Sequence, residues 1–213
     1  PGAVNTITRE GKRLIGHNTD VPGFKVALDR LVGKQKMPRQ AVVLGAGGGL
    51  ELKAFAQAHP GWSFDGVDPS AAMLALGRER LARHDLADRV TLVRAYLPAP
   101  LERRYDAVIS NSLLHHLHEP SGLWMTLRQV AARNAAVLIV DLRRPETAAS
   151  AQQIVDTYAR DEPEILRQDF YNSLLAAFEV DEVKSQLETA GLSGLKVQAV
   201  GDRYLEVSGR MPG

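Results

Sequence analysis

A short apolar run, Ala41-Val42-Val43-Leu44, stops abruptly at Gly45-Ala46-Gly47-Gly48-Gly49, four glycines within five positions. An apolar run of that length ended by a turn signal reads as a buried strand. The turn carries almost no side chains, so a ligand can approach its backbone closely, and the helix predicted over 50–58 offers free N–H groups at its start. A chain with this strand, turn and helix is confined to folds in which a buried strand feeds a helix packed on the sheet.

The rest of the chain repeats that alternation. Strand-like segments at 63–68, 89–96, 105–111 and 135–143 are separated by helical stretches at 70–84 and 121–133 and by loops. Met73, Leu76 and Leu81 form the expected apolar stripe of the first helix, and Leu123, Leu127 and Val130 that of the second. Such alternation predicts the α/β class, a parallel sheet covered by helices. A polar helical region follows over 146–180, then a short helix with Val183 and Leu187 on one face. LKVQAV and RYLEVSG, joined through Gly201-Asp202, close the chain as an antiparallel hairpin. That hairpin separates the chain from an ordinary dinucleotide fold, whose strands normally all run one way.

Ahead of residue 41 the pattern differs. Residues 3–8 and 13–17 read as two strands around Gly11, and Asn18-Thr19-Asp20 with Pro22 as the start of a helix over about 21–33, ended by Gly33. The chain therefore divides into a hairpin-and-helix unit, 1–40, and an α/β domain, 41–213. A hairpin without a sheet of its own offers edges to which a second copy can add, which makes it the expected surface of a homodimer.

Composition narrows the function classes. The 213 residues carry 26 Lys and Arg against 25 Asp and Glu, a formal net charge of +1, which supplies no field to draw in nucleic acid or anionic lipid. A small-molecule substrate fits better. Cysteine is absent, which excludes disulfides, thiolate metal sites and a catalytic thiol. No apolar run approaches the roughly 18 residues of a membrane span, so a soluble, cytoplasmic protein is expected.

Candidate site residues cluster where strands end. Asp68 closes the strand after the glycine turn, about 20 residues on, where a carboxylate can accept hydrogen bonds from both hydroxyls of a ribose. Gly45, Ala46, Gly47, Gly49 and Asp68 together indicate an adenosine-containing ligand. The alternative is tight packing at the glycines, with Asp68 capping the helix that starts near Ser70. A dinucleotide and S-adenosylmethionine present the same diol, and the local motif does not choose between them. His115, His116 and His118 follow the strand ending at Asn111, at a spacing that matches no metal motif, and an unperturbed imidazole at 115 or 116 would suit a general base. Asp141, Arg143 and Arg144 lie at the end of strand 135–143, where a cation could hold an acidic acceptor. Tyr171, in the polar helical region, is a candidate wall of an acceptor pocket.

Several ordered motifs from about residue 41 onward resemble class I S-adenosylmethionine-dependent methyltransferases: GAGGG, GVDPSAAML, YDAVISNSLLHHL and the closing hairpin. The resemblance implies a Rossmann-like three-layer sandwich with a mostly parallel seven-stranded sheet and S-adenosylmethionine as cofactor. It also implies that the loop residues Gly45, Gly47 and Gly49 hold the methionine part, Asp68 and its neighbour Pro69 the ribose, and Ala95 and Tyr96 the adenine. Asn111, Ser112 and His115 would line the reaction centre. Val43 and Ala95-Tyr96 depart from the family, which usually has acids there.

Residues 1 to about 48 resemble instead the middle of shikimate dehydrogenase, through PGAVNT, RLIGHNTD, PGF and VVLGAGG. In that family the equivalents of Asn5 and Asp20 bind the hydroxy acid, and NADP is the cofactor. The catalytic lysine of the family would precede Pro1, and its basic motif for the cofactor phosphate is replaced by GVDPS. Both families place a strand, a glycine loop and a helix at the junction, so the chain reads as a chimera joined inside the glycine turn.

Overall fold

A computed structural model describes residues 6–10, 13–17 and 39–212. Strands β1 (Thr6–Glu10) and β2 (Arg13–His17) pair antiparallel, Thr6 opposite His17 and Glu10 opposite Arg13. The first strand thus runs past the expected end at residue 8 to Glu10, which pairs with Arg13, while residues 3–5 lie outside the described residues. The helix expected over 21–33, and Asn5 and Asp20, lie outside the described residues.

The main sheet has seven strands: β3 (Gln40–Leu44), β4 (Ser63–Asp68), β5 (Val90–Arg94), β6 (Tyr105–Asn111), β7 (Ala131–Leu142), β8 (Lys196–Val200) and β9 (Tyr204–Arg210). Their spatial order is β5-β4-β3-β6-β7-β9-β8. Only β9 runs against its neighbours, inserted between β7 and β8. The order reverses direction at β3, whose partners are β4 on one side and β6 on the other. The carboxyl ends of these two neighbours flank the glycine turn, which is where open α/β sheets bind ligands.

Both faces of the sheet are covered. On one, Ala41, Val43, Phe64, Ile109 and Leu138 pack against helices α1 (Leu50–Ala58) and α2 (Ala71–Ala82) through Leu52, Phe55 and Leu81. On the other, Val42, Leu44, Val67, Val108 and Val137 meet α3 (Ser121–Val130) through Leu123, Trp124 and Leu127, and α6 (Val180–Thr189) through Val183 and Leu187. Period-two alternation thus feeds two apolar layers, and β3 is apolar throughout from Ala41 to Leu44 because both its faces are buried. Helices α4 (Ala148–Tyr158) and α5 (Glu164–Ala176) form a third cluster with Leu142 beyond the end of β7.

Three expectations change. The helix over 121–133 ends at Val130, because Ala131 already pairs with Tyr105 and the guanidinium of Arg104 takes the carbonyls of Arg128 and Ala131. The strand then bulges before Ala136, with Asn134 in the left-handed region at φ 60. On α2 the buried residues are Leu74, Gly77 and Leu81, while Leu76 is exposed, since the helix lies so close to the glycine turn that its inner face needs a residue without a side chain. The polar region 146–180 is two helices, interrupted ahead of Pro163, the residue before α5.

Candidate functional site at the carboxyl edge of the sheet

The glycine turn is tied into the sheet by its own backbone. Gly45 and Ala46 both donate to the carbonyl of Val67 at 2.9 Å, which holds the turn against the end of β4. Gly45, Gly47 and Gly49 have φ of 77, 49 and 73, a left-handed sequence that side chains would strain. A β-carbon on Gly49 would lie 3.3 Å from the α-carbon of Gly77, so the turn and α2 meet glycine to glycine. The Arg80 guanidinium donates to the Gly48 carbonyl from the same helix.

Asp68 stands at the centre of this arrangement. One carboxylate oxygen accepts Gly47 N–H at 2.9 Å and the other accepts Ser70 N–H at 2.8 Å. The capping of α2 falls to Ser70, whose hydroxyl accepts Met73 N–H at 3.3 Å. Asp68 therefore clamps the glycine turn to the turn after β4, and each of its oxygens keeps acceptor capacity for a further donor. Beside it, Ala95 N–H reaches the Asp68 carbonyl at 3.3 Å, Arg94 donates to the Pro69 carbonyl, and the Tyr96 side chain is 77% exposed. The residues predicted from sequence on this side of the crevice are thus brought together. A cradle too tight for side chains at Gly49, with a carboxylate on its rim, suits an adenosine group.

On the other side, Asn111 ends β6 and its amide donates to the Glu51 carboxylate at 3.2 Å. Ser112 adopts φ 52 and donates its N–H to Val140, so the chain folds back over β7 into the short helical turn Leu114–His116. There His115 Nδ1 lies 2.6 Å from Asp141 Oδ1, with side chains 6% and 0% exposed. Asp141 also accepts from Leu114 N–H at 2.6 Å and Leu142 N–H at 2.8 Å. With Nδ1 held by a carboxylate, Nε2 is the nitrogen of His115 left to exchange a proton with a ligand. The His116 ring packs on that of His115 at 4.0 Å between centroids. Burial holds His116 below the ordinary histidine range, and the neighbouring His115 lowers it further, while Asp141 and Asp169 pull the other way. Helix α5, which carries Asp169, packs over this turn.

The remaining sequence candidates go elsewhere. Arg143 turns away from the crevice: its backbone N–H donates to Arg203 and its guanidinium to the Asp202 carbonyl, beside a cavity of about 370 Å³ also lined by Glu146, Ser150 and Gln153. Arg144 is drawn into pairs with Glu179 and Glu182 at the start of α6. Tyr171 packs with the α4–α5 cluster. Asp141, at the end of β7, is the anchor of His115. Sequence reading missed Glu51 and Gly77; the one signal for Glu51 was a charge two residues after the glycine turn.

Residues 42–138 match a family model described as a methyltransferase domain, which takes in less than half of the chain. Among curated proteins, a shikimate dehydrogenase (NADP(+)) of Symbiobacterium thermophilum is 42% identical over 126 residues, 57% of this chain and 40% of that protein. Another, of Geobacter metallireducens, is 51% identical over 47 residues, 22% of this chain and 16% of that one. The chain thus spans well under half the length of these relatives, and the longer match cannot fit inside residues 1–48, so the dehydrogenase likeness runs on into the α/β domain. Among solved structures, a SAM-dependent methyltransferase from Aquifex aeolicus superposes with TM-score 0.65 at 18% identity, covering 88% of this chain and 89% of that one. A phosphoethanolamine N-methyltransferase 2 of Haemonchus contortus in complex with S-adenosyl-L-methionine gives 0.65 at 14% identity, covering 90% and 53%. The fold is accordingly the Rossmann-like α/β sandwich of these solved structures, and residues 42–138 are similar to a methyltransferase domain.

Proposed function

We propose that residues 41–213 transfer a methyl group from S-adenosylmethionine to a small-molecule acceptor, with residues 1–40 a separate unit of shikimate dehydrogenase type. The observation that carries this reading is the Asp68 carboxylate, fixed by Gly47 and Ser70 N–H groups on the rim of a turn without side chains. When bound, the cofactor supplies a methyl carbon on positively charged sulfur, which an aligned acceptor displaces in line with little help from acid–base groups. Asp68 and Pro69 take the ribose side, Ala95 and the exposed Tyr96 the base, and Gly45, Ala46, Gly47 and Gly49 the methionine side, with Asn111 beside it. His115 accepts the proton of a protic acceptor at Nε2, held in its tautomer by Asp141. Calorimetry with S-adenosylhomocysteine tests the reading. Saturable binding is expected, and Asp68→Ala weakens it by about tenfold or more, the worth of a charge-assisted hydrogen bond to a hydroxyl. An unchanged thermal unfolding temperature and no heat at millimolar ligand would count against it.

A second reading rests on the 126-residue dehydrogenase match: the same turn and Asp68 hold NADP. The closing antiparallel strand β9 speaks against it, as does the absence of a basic residue in the segment Gly66-Val67-Asp68-Pro69-Ser70, where a cofactor phosphate would sit. Saturable quenching of NADPH fluorescence, abolished by Asp68→Ala, would favour it over methyl transfer. Sedimentation velocity tests the dimer expected through the β1–β2 hairpin, and a monomer at all concentrations removes it.

A further inference from the structure

Past the end of β7, on the side away from the glycine turn, the chain builds a second concave surface. Arg143, Pro145 and Glu146 lead from the strand toward α4, and the turn between β8 and β9 brings Asp202 back to meet them. These segments enclose the cavity of about 370 Å³, to which α4 adds Ser150, Gln153 and Ile154. Its volume falls within the range of small-molecule pockets, roughly 300–1,000 Å³. In the sheet order β3-β6-β7-β9, the strand that follows Asp202 lies three spacings from the strand that carries the glycine turn, roughly 14 Å. The cavity is therefore separate from the crevice of Asp68 and His115.

Two opposite charges line this cavity without balancing each other. The Arg143 backbone is fixed by its N–H, which donates to the Arg203 carbonyl at 2.8 Å. Its guanidinium donates to the Asp202 carbonyl at 3.1 Å, and Nε is buried without a partner. A carbonyl supplies a dipole but no compensating charge. The neighbouring arginines do find carboxylates: Arg144 pairs with Glu179 and Glu182, and Arg203 with Asp202. The Asp202 carboxylate also accepts the Tyr158 hydroxyl at 2.7 Å, so it is committed on that side. Glu146 is exposed and makes no ion pair among the described residues, with Arg143 or any other. The remaining lining is a hydroxyl from Ser150, a side-chain amide from Gln153 and apolar surface from the buried Pro145 and Ile154.

We propose that this cavity binds a small zwitterion of the α-amino acid type, its carboxylate on the Arg143 guanidinium, its ammonium on Glu146 and an aliphatic side chain against Pro145 and Ile154. A planar guanidinium matches a carboxylate in geometry as well as in charge. Glu146 turns away a ligand with only negative charge, and Arg143 one with only positive charge. The site stands independently of the cofactor reading, because it shares no residue with the glycine turn, Asp68 or the His115 turn.

The test titrates the full chain with L-leucine, with 4-methylpentanoate, which lacks the ammonium, and with 3-methylbutylamine, which lacks the carboxylate. Nitrogen–proton NMR spectra follow the Arg143 Nε resonance and the Gln153 side-chain amide up to about 10 mM ligand, a range that captures millimolar affinity. L-leucine gives saturable shifts of both signals, and each single-charge analogue binds about tenfold or more weakly, the worth of one charged hydrogen-bond partner. Glu146→Gln weakens L-leucine by about that factor and leaves 4-methylpentanoate within about twofold, whereas Arg143→Met weakens L-leucine and spares 3-methylbutylamine. Since Glu146 is an exposed side chain outside any ion pair, its variant serves if Arg143→Met does not fold. Absence of shifts at Arg143 and Gln153 with L-leucine overturns the proposal, as do equal affinities for the three compounds or L-leucine binding that Glu146→Gln leaves unchanged. Displacement of L-leucine by S-adenosylhomocysteine would overturn the claim that the two sites are separate.

Discussion

Gly66 lies in the middle of β4, at the head of GVDPSAAML, and the structure makes it a support of the glycine turn. A β-carbon there would stand 2.4 Å from Leu52 Cδ1, 2.9 Å from Leu92 Cδ2 and 3.0 Å from the β-carbon of Ala46. Leu52 is 0% exposed and has no room to swing, and Ala46 has no rotamer to change, so its β-carbon yields only if the turn itself moves. Gly66→Ala therefore costs about 1–3 kcal/mol, the range for overpacking a filled core. For a domain of this size each kcal/mol lowers the melting temperature by about 2–4 °C, so a fall of roughly 4–8 °C is expected for the middle of that range. Because Ala46 moves with the turn, S-adenosylhomocysteine affinity falls together with stability. Calorimetric melting of Gly66→Ala beside Gly61→Ala, whose added β-carbon meets nothing within 4 Å, isolates the effect. Equal melting temperatures for the two variants would refute the claim that β4 packs too closely under the turn for a side chain.

Three further perturbations probe Tyr105, Asp141 and His116. Tyr105→Phe removes the hydroxyl that donates to buried Asp65 at 2.5 Å and leaves that carboxylate short of a partner; a loss of about 1–3 kcal/mol in urea unfolding is expected, and an unchanged midpoint contradicts the pairing. In the wild type, burial and the Asp65 carboxylate together hold the Tyr105 phenol above its ordinary range, so it stays protonated in alkaline solution where an exposed tyrosine ionises, and spectrophotometric titration reads this directly. Asp141→Asn places an amide N–H₂ among donors from Leu114, His115 and Leu142, stranding at least one; about 1–3 kcal/mol of stability is lost and the His115 nitrogen resonances shift with the tautomer, whereas unchanged imidazole spectra argue against the dyad. His116 is held below the ordinary 6.5, so the unfolded chain binds the extra proton first: stability is fully present above 6.5 and is lost as pH falls through the lowered folded value. Melting followed from about pH 8 to about pH 5 shows a decline that His116→Phe reduces, and parallel curves for the two proteins would exclude it.

The elements that surface in the sequence are those fixed by neighbours along the chain. The bounds of β4, β6 and α1 agree with the residue pattern because alternation and helical spacing are local signals, and the link from the glycine turn to Asp68 spans little more than one strand and one helix. Where a partner comes from elsewhere in the fold, the pattern misleads. Ala131 has a good helical sequence before it but joins the sheet, because pairing with Tyr105 and the grip of Arg104 outweigh propensity. Arg143 and Arg144 look like ligands for an anion in the crevice, but the hairpin of β8 and β9 and the start of α6 come back in space and draw both away from it.

The same distinction runs through the site. Residues 41–49 and Asp68 mark a candidate ligand-binding edge by themselves, since a turn without side chains and an acid one strand later are read along a single stretch of chain. The contacts of Asn111 with Glu51, 60 residues apart, and of His115 with Asp141, 26 apart, exist because β6 lies between β3 and β7 in the sheet. Strand order is a property of packing two apolar faces against helices, and no local pattern encodes which strand will lie beside which. Chemistry within one βα unit is therefore written in the chain, whereas charge pairing across the crevice arises only once the sheet has been assembled.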